Sequence, residues 1–211
     1  MFTGIITDIG KVKSVSKNDD GKTIVIETGL NLSKTAIGAS ISCNGACMTI
    51  VEKGSAENGS WFKVDVSGES LSKTTIGEWA ENKKINLEPA LKVGDELGGH
   101  LVSGHVDGLG SVAEIETIGE STRLDIAVDA DLGRFIAPKG SVTIDGVSLT
   151  VNTIKADKSD KTGKNGHIFS LNIIPHTAKA TTLGKLCCGG KVNVEIDTLA
   201  RYVARLLDSK A

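Results

Sequence analysis

Short segments in which apolar and polar residues alternate cover most of the 211-residue chain. In the first half they are GKVKSV, KTIVIET, ASISC, CMTIVEK, WFKVDVS and KKINLE, and in the second half GSVAEI, RLDIAV, SVTID, SLTVNTI, IFSLNII and KVNVEI. This period is typical of strands with one buried face, and the Asn-Gly and Asp-Gly pairs in CNGAC and IDGVS favour tight hairpins. The pattern predicts about six strands in each half, with one short helix in SLSKTTIG.

The two halves repeat each other in the same order. FTGIITDIGKV, from Phe2, aligns with VSGHVDGLGSV, from Val102, and SISCNGACMTI, from Ser40, aligns with SVTIDGVSLTV, from Ser141. TTIG and KINLE then align with TTLG and KVNVE. Most of the added residues fall in KADKSDKTGKNG, a polar stretch suited to a hairpin tip. The alignment indicates a tandem duplication with a boundary near Gly98.

The chain length alone leaves open one large domain or two small ones, and the repeat favours two. Six strands per copy suggest a small closed barrel, because closure removes exposed strand edges. We predict a mainly β protein with two tandem six-stranded antiparallel barrels of similar fold plus a C-terminal α-helix. The predicted boundaries are residues 1–97 and 98–197 for the barrels and 198–211 for the helix and tail.

The last segment, DTLARYVARLLDS, has the period of a helix. Its apolar residues recur at the spacing of one helix face; they are Leu199, Tyr202, Val203, Leu206 and Leu207. This apolar stripe would pack on a barrel of its own chain or against another subunit. At roughly 1.5–3 kcal/mol for each fully buried side chain, a bundle between subunits is energetically reasonable, and the sequence leaves both alternatives open.

Composition and charge exclude some classes of protein. A net charge of -2, with only 4 Phe, 2 Trp and 1 Tyr, supplies neither a basic field for phosphates nor a stacking platform, so we expect no nucleic-acid partner. The sequence shows no signal-peptide pattern and no run that approaches a membrane span. We therefore expect a cytoplasmic protein without a membrane partner, and we expect its four cysteines to be reduced.

Two motifs suggest cofactors on first inspection. His100 and His105, in GGHLVSGHVDG, could join Cys43 and Cys47 in a zinc site, but neither spacing fits one, so we expect no metal. GLGSVA, from Gly108, matches a dinucleotide fingerprint, yet a strand pattern follows it where a helix is required.

The aligned copies differ at positions suited to chemistry. His105 aligns with Ile5 between shared glycines, and Cys47 aligns with Ser148. Two related but non-identical ligand sites would require a shared scaffold with different polar groups. Ordinary drift after duplication explains the same differences, and the residues alone leave both explanations open.

Six motifs occur in order from Met1 to the final helix: MFTGI, NGACMT, GGHLVSGHVDG, KGSVTIDGVSLTVN, IIPHTAKATTLG and VNVEIDTLARYV. Together they resemble the α-type riboflavin synthase family, transferases built of two lumazine-binding repeats. Met48 stands where the family usually has Leu, a near-isosteric change. Glu69 and His176 differ between the copies at one ligand-contact position.

The resemblance implies a homotrimer held partly by the C-terminal helices, and a reaction without cofactor or metal. Two molecules of 6,7-dimethyl-8-ribityllumazine per active site exchange a four-carbon unit, giving riboflavin and 5-amino-6-ribitylaminouracil in the last step of riboflavin biosynthesis. The site lies between the first barrel of one subunit and the second barrel of a neighbour. Association with lumazine synthase is a further partner expectation.

The resemblance also implies the substrate-binding residues of two pockets. The first-barrel pocket comprises Ser40, Cys47, Met48, Thr49, Asp65, Val66, Ser67, Gly68, Glu69, Ser70, Gly104, His105 and Val106. The second-barrel pocket comprises Gly4, Ile5, Ile6, Lys139, Ser148, Leu149, Thr150, Asn172, Ile173, Ile174, Pro175, His176 and Thr177.

The resemblance gives the catalytic residues as Ser40, Cys47, Thr49, His100, His105 and Asp197, with both histidines facing the first pocket. A proton must leave the 7-methyl group of one substrate, and a nucleophile must add at C7 of the other. Ser40, or a water that it orients, is the expected proton acceptor or nucleophile, and a Cys47 thiolate is the alternative. Asp197 matches a family acid near another subunit's pocket, but it is also a preferred helix N-cap.

Two other functions compete with the synthase. A non-catalytic lumazine or flavin carrier would keep the fold and use one pocket per chain, whereas here both pockets retain their polar residues. A flavin-dependent reductase barrel is disfavoured, because no nucleotide fingerprint or second α/β domain follows.

Overall fold

The computed structural model describes residues 1–57, 59–157 and 166–208. The first half contains β1 (Asp8–Asn18), β2 (Gly21–Thr28), β3 (Ser40–Cys43), β4 (Ala46–Ala56), β5 (Gly59–Ser67) and β6 (Lys84–Pro89). The second half contains β7 (Gly108–Ile118), β8 (Ser121–Val128), β9 (Ser141–Ile144), β10 (Val147–Asp157), β11 (Gly166–Ile173) and β12 (Lys191–Ile196).

Each set of six strands closes into an antiparallel barrel. The neighbours around the first barrel run β1-β2-β5-β4-β3-β6, and the second barrel has the same cyclic order in its own strands. Both barrels also change register at matching places, between Val12 and Ser14 in β1 and between Val112 and Glu114 in β7. The predicted pair of similar six-stranded barrels is confirmed.

Each barrel has its own apolar core. Phe62 and Ile24 are among the fully buried side chains of the first, and Phe169 and Ile126 are among those of the second. In the first barrel, buried side chains alternate with half-buried or exposed ones along β2 and β5, as the sequence pattern predicts.

The two predicted Asn-Gly and Asp-Gly hairpins meet where the barrels touch. Asn44 and Asp145 both have φ of 46°, and Gly45 and Gly146 follow with positive φ, as type I′ turns require. A Cβ added at Gly45 would lie 2.8 Å from the backbone nitrogen of Gly146. Only glycine therefore allows the two turns to pack back to back.

Buried amides bridge the same interface in matching pairs. The side chain of Asn86 donates to the carbonyl of Asp145 at 2.9 Å, and that of Asn193 donates to the carbonyl of Asn44 at 2.8 Å. The two barrels are thus related by an approximate two-fold axis that passes between the turns.

The short helices differ partly from the prediction. SLSKTTIG forms the end of α1 (Gly68–Lys73) and most of a 3₁₀ turn (Thr75–Glu78) instead of one helix, because Thr74 between them is extended and caps the second. The second copy repeats this arrangement after a four-residue helix, α2 (Ala130–Gly133), that the sequence did not predict, with α3 (Pro175–Ala180) and a 3₁₀ turn (Thr182–Lys185). Of KADKSDKTGKNG, residues 158–165 lie outside the described residues.

The C-terminal helix, α4 (Thr198–Asp208), is present as predicted. The five residues of its apolar stripe remain 56–71% exposed. The alternative in which this stripe caps a barrel of its own chain is therefore wrong. Among the described residues, no helix has the length and apolarity needed to cross a membrane.

Candidate functional site

The segments that precede the two barrels pair with each other at the join. Phe2 and Val102 exchange backbone hydrogen bonds of 2.7 and 3.0 Å. Residues 3–7 and 103–107 continue from this bridge towards β1 and β7. Each segment therefore starts on the approximate two-fold axis and carries its side chains into equivalent surroundings.

A buried glutamate holds each segment. The Glu88 carboxylate accepts hydrogen bonds from the backbone and hydroxyl of Thr3, at 2.6 and 2.7 Å, and from the backbone of Gly4 at 3.0 Å. Glu195 accepts the equivalent bonds from Ser103 and Gly104, at 2.7, 2.6 and 3.0 Å. Burial raises the pKa of both carboxyl groups, although these hydrogen bonds oppose the rise.

Sequence reasoning missed these two glutamates. They end the aligned segments KINLE and KVNVE, so an acid recurs at a core-facing position of a repeated strand. Because a buried carboxylate needs hydrogen-bond partners, that recurrence was the signal that could have found them.

Each segment then contacts the barrel of the other half. The Cys47 backbone N–H donates to the Gly104 carbonyl at 2.7 Å, and the Ser148 N–H donates to the Gly4 carbonyl at 2.8 Å. Both glycines have positive φ, and a Cβ on either would lie within 2.6 Å of the Cβ of its partner. The two predicted pockets therefore each combine residues of both halves.

The first group of predicted residues lies along the start of β4. Ser40 on β3 is the cross-strand partner of Thr49, and Cys47 lies two residues before Thr49 on the same face. His105 is exposed on the segment bonded to Cys47, next to the half-buried Val106. The structure thus brings together the hydroxyls, the thiol and the imidazole that the sequence assigned to the first pocket.

The second group lies along the start of β10. Ser148 and Thr150 take the places of Cys47 and Thr49, and Ile5 is exposed where the other copy has His105. Lys139 has φ of 67°, a left-handed conformation that the first copy gives to a glycine. Strain at a lysine of this kind is frequent at functional positions.

Three predicted contact residues turn their side chains into the cores. Met48, Val66 and Ile173 belong to the apolar clusters of their barrels. Only their backbone groups can therefore serve a ligand on the outer face of the strands.

His100 lies with the second group and not with the first, so its expected position is wrong. Its Nδ1 is 2.7 Å from the Ser148 hydroxyl and its Nε2 is 3.3 Å from the Thr143 hydroxyl. Thr143 and Ser148 are cross-strand partners, so the ring spans two strands of the second barrel. The linker between the barrels contacts the second barrel at His100, and residue spacing alone does not predict this contact.

The charge state of His100 follows from its surroundings. Burial lowers the pKa of the imidazole, and the negative charge of Asp197 raises it partly back. A neutral imidazole beside a serine hydroxyl is the arrangement of a general base.

Asp197 is the N-cap of α4, as one interpretation of the sequence predicted. Its Oδ1 accepts a hydrogen bond of 2.8 Å from the backbone N–H of Leu199. Its charge also reaches His100 of its own chain. A role at another subunit's pocket stays a prediction.

The remaining predicted residues lie at the same ends of the barrels. β5 runs antiparallel to β4 with Val64 opposite Ile50, and β11 runs antiparallel to β10 with Leu171 opposite Val151. The ends of β5 and β11, with α1 and α3 after them, therefore lie beside the starts of β4 and β10. This placement covers the predicted segments 65–70 and 172–177.

Both groups lie on open surface. A cavity of about 450 Å³ around Leu32 and Lys53 and a cleft of about 410 Å³ between the 3₁₀ turns are lined by other residues. Thr49, His105, Ile5 and Thr150 are exposed. Within the described ranges, no three His, Cys, Asp or Glu side chains are placed to hold a metal ion.

Comparison with known proteins agrees with the duplicated fold. The lumazine binding domain family matches residues 3–90 and 103–197. The chain is 48% identical to riboflavin synthase of Brucella abortus over 98% of both chains, and 33% identical to riboflavin synthase of Bacillus subtilis over 98% of this chain and 90% of that one.

Solved structures of LumP in complex with ligands are also similar to this chain. LumP complexed with 6,7-dimethyl-8-(1'-D-ribityl) lumazine is 27% identical, with a TM-score of 0.73 over 92% of this chain and 98% of that one. A structure of LumP with riboflavin gives a TM-score of 0.74 at 28% identity, over 93% and 99%. The chain therefore belongs to the lumazine-binding domain family and, within it, to the riboflavin synthase family of transferases.

Proposed function

We propose that the chain catalyses the dismutation of two 6,7-dimethyl-8-ribityllumazine molecules to riboflavin and 5-amino-6-ribitylaminouracil. The observation that carries this proposal is the pair of equivalent groups around Cys47 and Ser148, each crossed by a glycine of the other half. A reaction between two identical molecules needs two similar binding sites. The duplicated barrels supply such a pair of scaffolds with different polar groups.

Holding two substrates in fixed orientation accounts for much of the rate. Oriented reactants can gain roughly 7–11 kcal/mol over free encounter. Backbone groups and small hydroxyls suit the polar edge of a pteridine, because they offer donors and acceptors at close range. The products together contain all the atoms of the two substrates, so the overall equation requires no further reactant.

The second group is suited to removing the proton from the 7-methyl carbon. In this step Ser148 passes its hydroxyl proton to the neutral His100 as it takes the methyl proton, leaving an imidazolium near Asp197. The first group supplies the nucleophile: the Ser40 oxygen or the Cys47 sulfur adds at C7 of the other molecule, the conjugated ring takes up the displaced electron pair and water takes the proton, and the same group leaves again before the products form. This assignment replaces the expectation that Ser40 is the proton acceptor.

The complete site requires two chains in this proposal. The first-barrel group of one chain faces the second-barrel group of a neighbour in a homotrimer, held partly by the exposed stripe of α4. The open position of both groups supports this arrangement, because a partner surface would then exclude water from the reacting atoms. A cytoplasmic location and association with lumazine synthase remain expectations.

Anaerobic incubation of the purified chain with 6,7-dimethyl-8-ribityllumazine alone tests the reaction. We expect riboflavin and the uracil product to appear in equal amounts, with two substrates consumed for each riboflavin. Replacement of His100 by Gln should slow turnover roughly 10²–10⁴-fold if its ring supports proton transfer.

A carrier function is the second candidate, favoured by the structural likeness to LumP. Ligand that binds but stays unchanged would support the carrier and contradict the synthase. Absence of both binding and turnover would contradict both. The control is the same incubation with protein denatured by heat, since spontaneous conversion must be subtracted.

A further inference from the structure

Asp107 joins three parts of the second half. Its backbone N–H donates to the Val194 carbonyl at 2.9 Å, and its Oδ2 accepts from the Ile196 N–H at 2.9 Å. Both oxygens of its carboxylate also pair with the guanidinium of Arg201, with Oδ1 2.8 Å from Nη1 and Oδ2 3.1 Å from Nη2. The pair therefore ties the segment that carries His105 to the end of β12 and to α4.

In its described residues the first copy has no helix equivalent to α4, so it shows which contacts the Asp107 position makes without one. Thr7 aligns with Asp107, and both its backbone N–H and its hydroxyl donate to the Leu87 carbonyl, at 3.0 and 3.2 Å. The segment is thus fixed to its strand in both copies. In the second copy, the Asp107 carboxylate adds the hydrogen bond from Ile196 and the ion pair with Arg201.

Within the described residues, the pair with Asp107 is the one ion pair that α4 makes. No residue of the helix is buried. Its half-buried positions include Ala200, Arg201 and Ala204, on the side opposite the apolar stripe. Small alanines provide few contacts, whereas a two-bond fork from a planar guanidinium fixes both distance and orientation. The Asp107 side chain is 12% exposed and that of Arg201 is 41% exposed, so solvent screens the pair only in part.

We propose that the Asp107–Arg201 pair is a positioning device that sets the angle at which α4 leaves the second barrel, so that the apolar stripe meets its counterparts in neighbouring chains. This inference rests on the proposed helix-mediated trimer. From Arg201 to Asp208 the helix rises about 10 Å, so a 20° change of direction would displace its end by about 4 Å. Such a displacement would disrupt side-chain interdigitation between helices.

The test measures assembly by sedimentation velocity over a range of protein concentrations. Arg201→Met and Asp107→Asn should each raise the concentration at half-assembly at least tenfold. Asparagine keeps an acceptor for Ile196 while it removes the charge. The double variant should reach half-assembly at the same concentration as the single variants, because either change alone already breaks the pair. Arg201→Lys should recover part of the loss through a single bond.

The matched control is Arg205→Met. Arg205 is exposed on the same helix and has no ion pair within the described part of the chain. An equal effect of this control, additive effects in the double variant, or unchanged assembly of Arg201→Met would each overturn the proposal.

A second measurement separates positioning from damage to the sites. At a protein concentration that restores the trimer, the dissociation constant for 6,7-dimethyl-8-ribityllumazine should lie within twofold of the original, and kcat should return to the original value. A lower kcat in the restored trimer would overturn a purely positioning role. Failure of the unaltered protein to form riboflavin would contradict the proposed function but leave the assembly comparison intact.

Discussion

Asp145 and Asn44 occupy the same turn position in the two copies and make the same bonds. The side-chain oxygen of Asp145 accepts from the Asn193 N–H at 2.8 Å, and that of Asn44 accepts from the Asn86 N–H at 2.6 Å. Burial raises the pKa of Asp145 from 3.8 to about 7, against the pull of its bond to Asn193 and the charge of Lys83. A neutral amide thus performs the same task without the cost of a buried charge.

Asp145→Asn should stabilise the protein in alkaline solution. Because the folded pKa is raised, the protonated carboxyl favours folding below pH 4, and this contribution is lost as pH rises to about 7. Above pH 7 the variant should gain up to ~4 kcal/mol in free energy of unfolding, with little gain below pH 4. Urea unfolding from pH 4 to pH 9 measures the difference, and equal stabilities at pH 9 would contradict it.

His100 should set the acid limb of the pH–rate profile. Burial lowers the pKa of His100, so kcat/KM should fall only at pH values below about 6.5, the ordinary pKa of an imidazole. Asp197→Asn removes the charge that raises this pKa, so the acid limb should move to still lower pH. Asparagine is an equally good N-cap, which separates the electrostatic effect from loss of the cap. An acid limb that stays in place or moves upward would exclude Asp197 as a partner of His100.

Individual residues were predictable where the two copies could be compared. The alignment paired Gly4 with Gly104 and Cys47 with Ser148, and the structure gives the members of each pair equivalent contacts. His100 was misplaced because it lies in the linker before the aligned part of the second copy, where no counterpart indicates which barrel it contacts.

The apolar stripe of α4 is exposed to solvent, although it consists of large apolar side chains of the kind that proteins usually bury. Replacing Leu199, Val203 and Leu206 by Gln should dissociate the trimer and abolish riboflavin formation while both barrels stay folded. Each side chain would lose roughly 1.5–3 kcal/mol of burial in the assembly. Sedimentation and circular dichroism measure the two effects.

The matched control replaces exposed apolar residues elsewhere, Val93 and Ile118, by Gln. Those changes should leave assembly and activity within twofold of the original. Full activity in a monomeric stripe variant would refute the shared site.

Strands were predictable because one buried face imposes a period of two, whereas the short helices were not. α2 has only four residues, and its main local signal is an N-cap bond from Leu132 to Asp129. The break at Thr74 arises because its hydroxyl both accepts from Ile76 and donates to Ser70. Such local hydrogen bonds override helix periodicity over one or two turns.

The overall architecture followed from the repeat, since two copies of one strand pattern imply two copies of one barrel. The predicted boundaries at residues 97/98 and 197/198 stay predictions. The first barrel's last strand ends at Pro89 and the second barrel's first strand begins at Gly108, with the segment of Val102 bonded to Phe2 between them. The contacts of residues 3–7 and 103–107 with the opposite barrel could not be read from the sequence, because the bonds of Cys47 to Gly104 and of Ser148 to Gly4 use backbone groups that every residue carries.

Mixing two inactive variants should restore activity if the site is shared between chains. One variant carries Cys47→Ala with Ser40→Ala, and the other carries Ser148→Ala with His100→Gln. After joint refolding, a second-barrel group from the first variant can face a first-barrel group from the second variant, and both are intact. For random assembly in a head-to-tail ring, about a quarter of the junctions are of this kind, so we expect about a quarter of the original activity. Each variant refolded alone is the control and should stay inactive. A site formed within one chain always contains one damaged group, so a mixture no more active than its components would exclude the shared site.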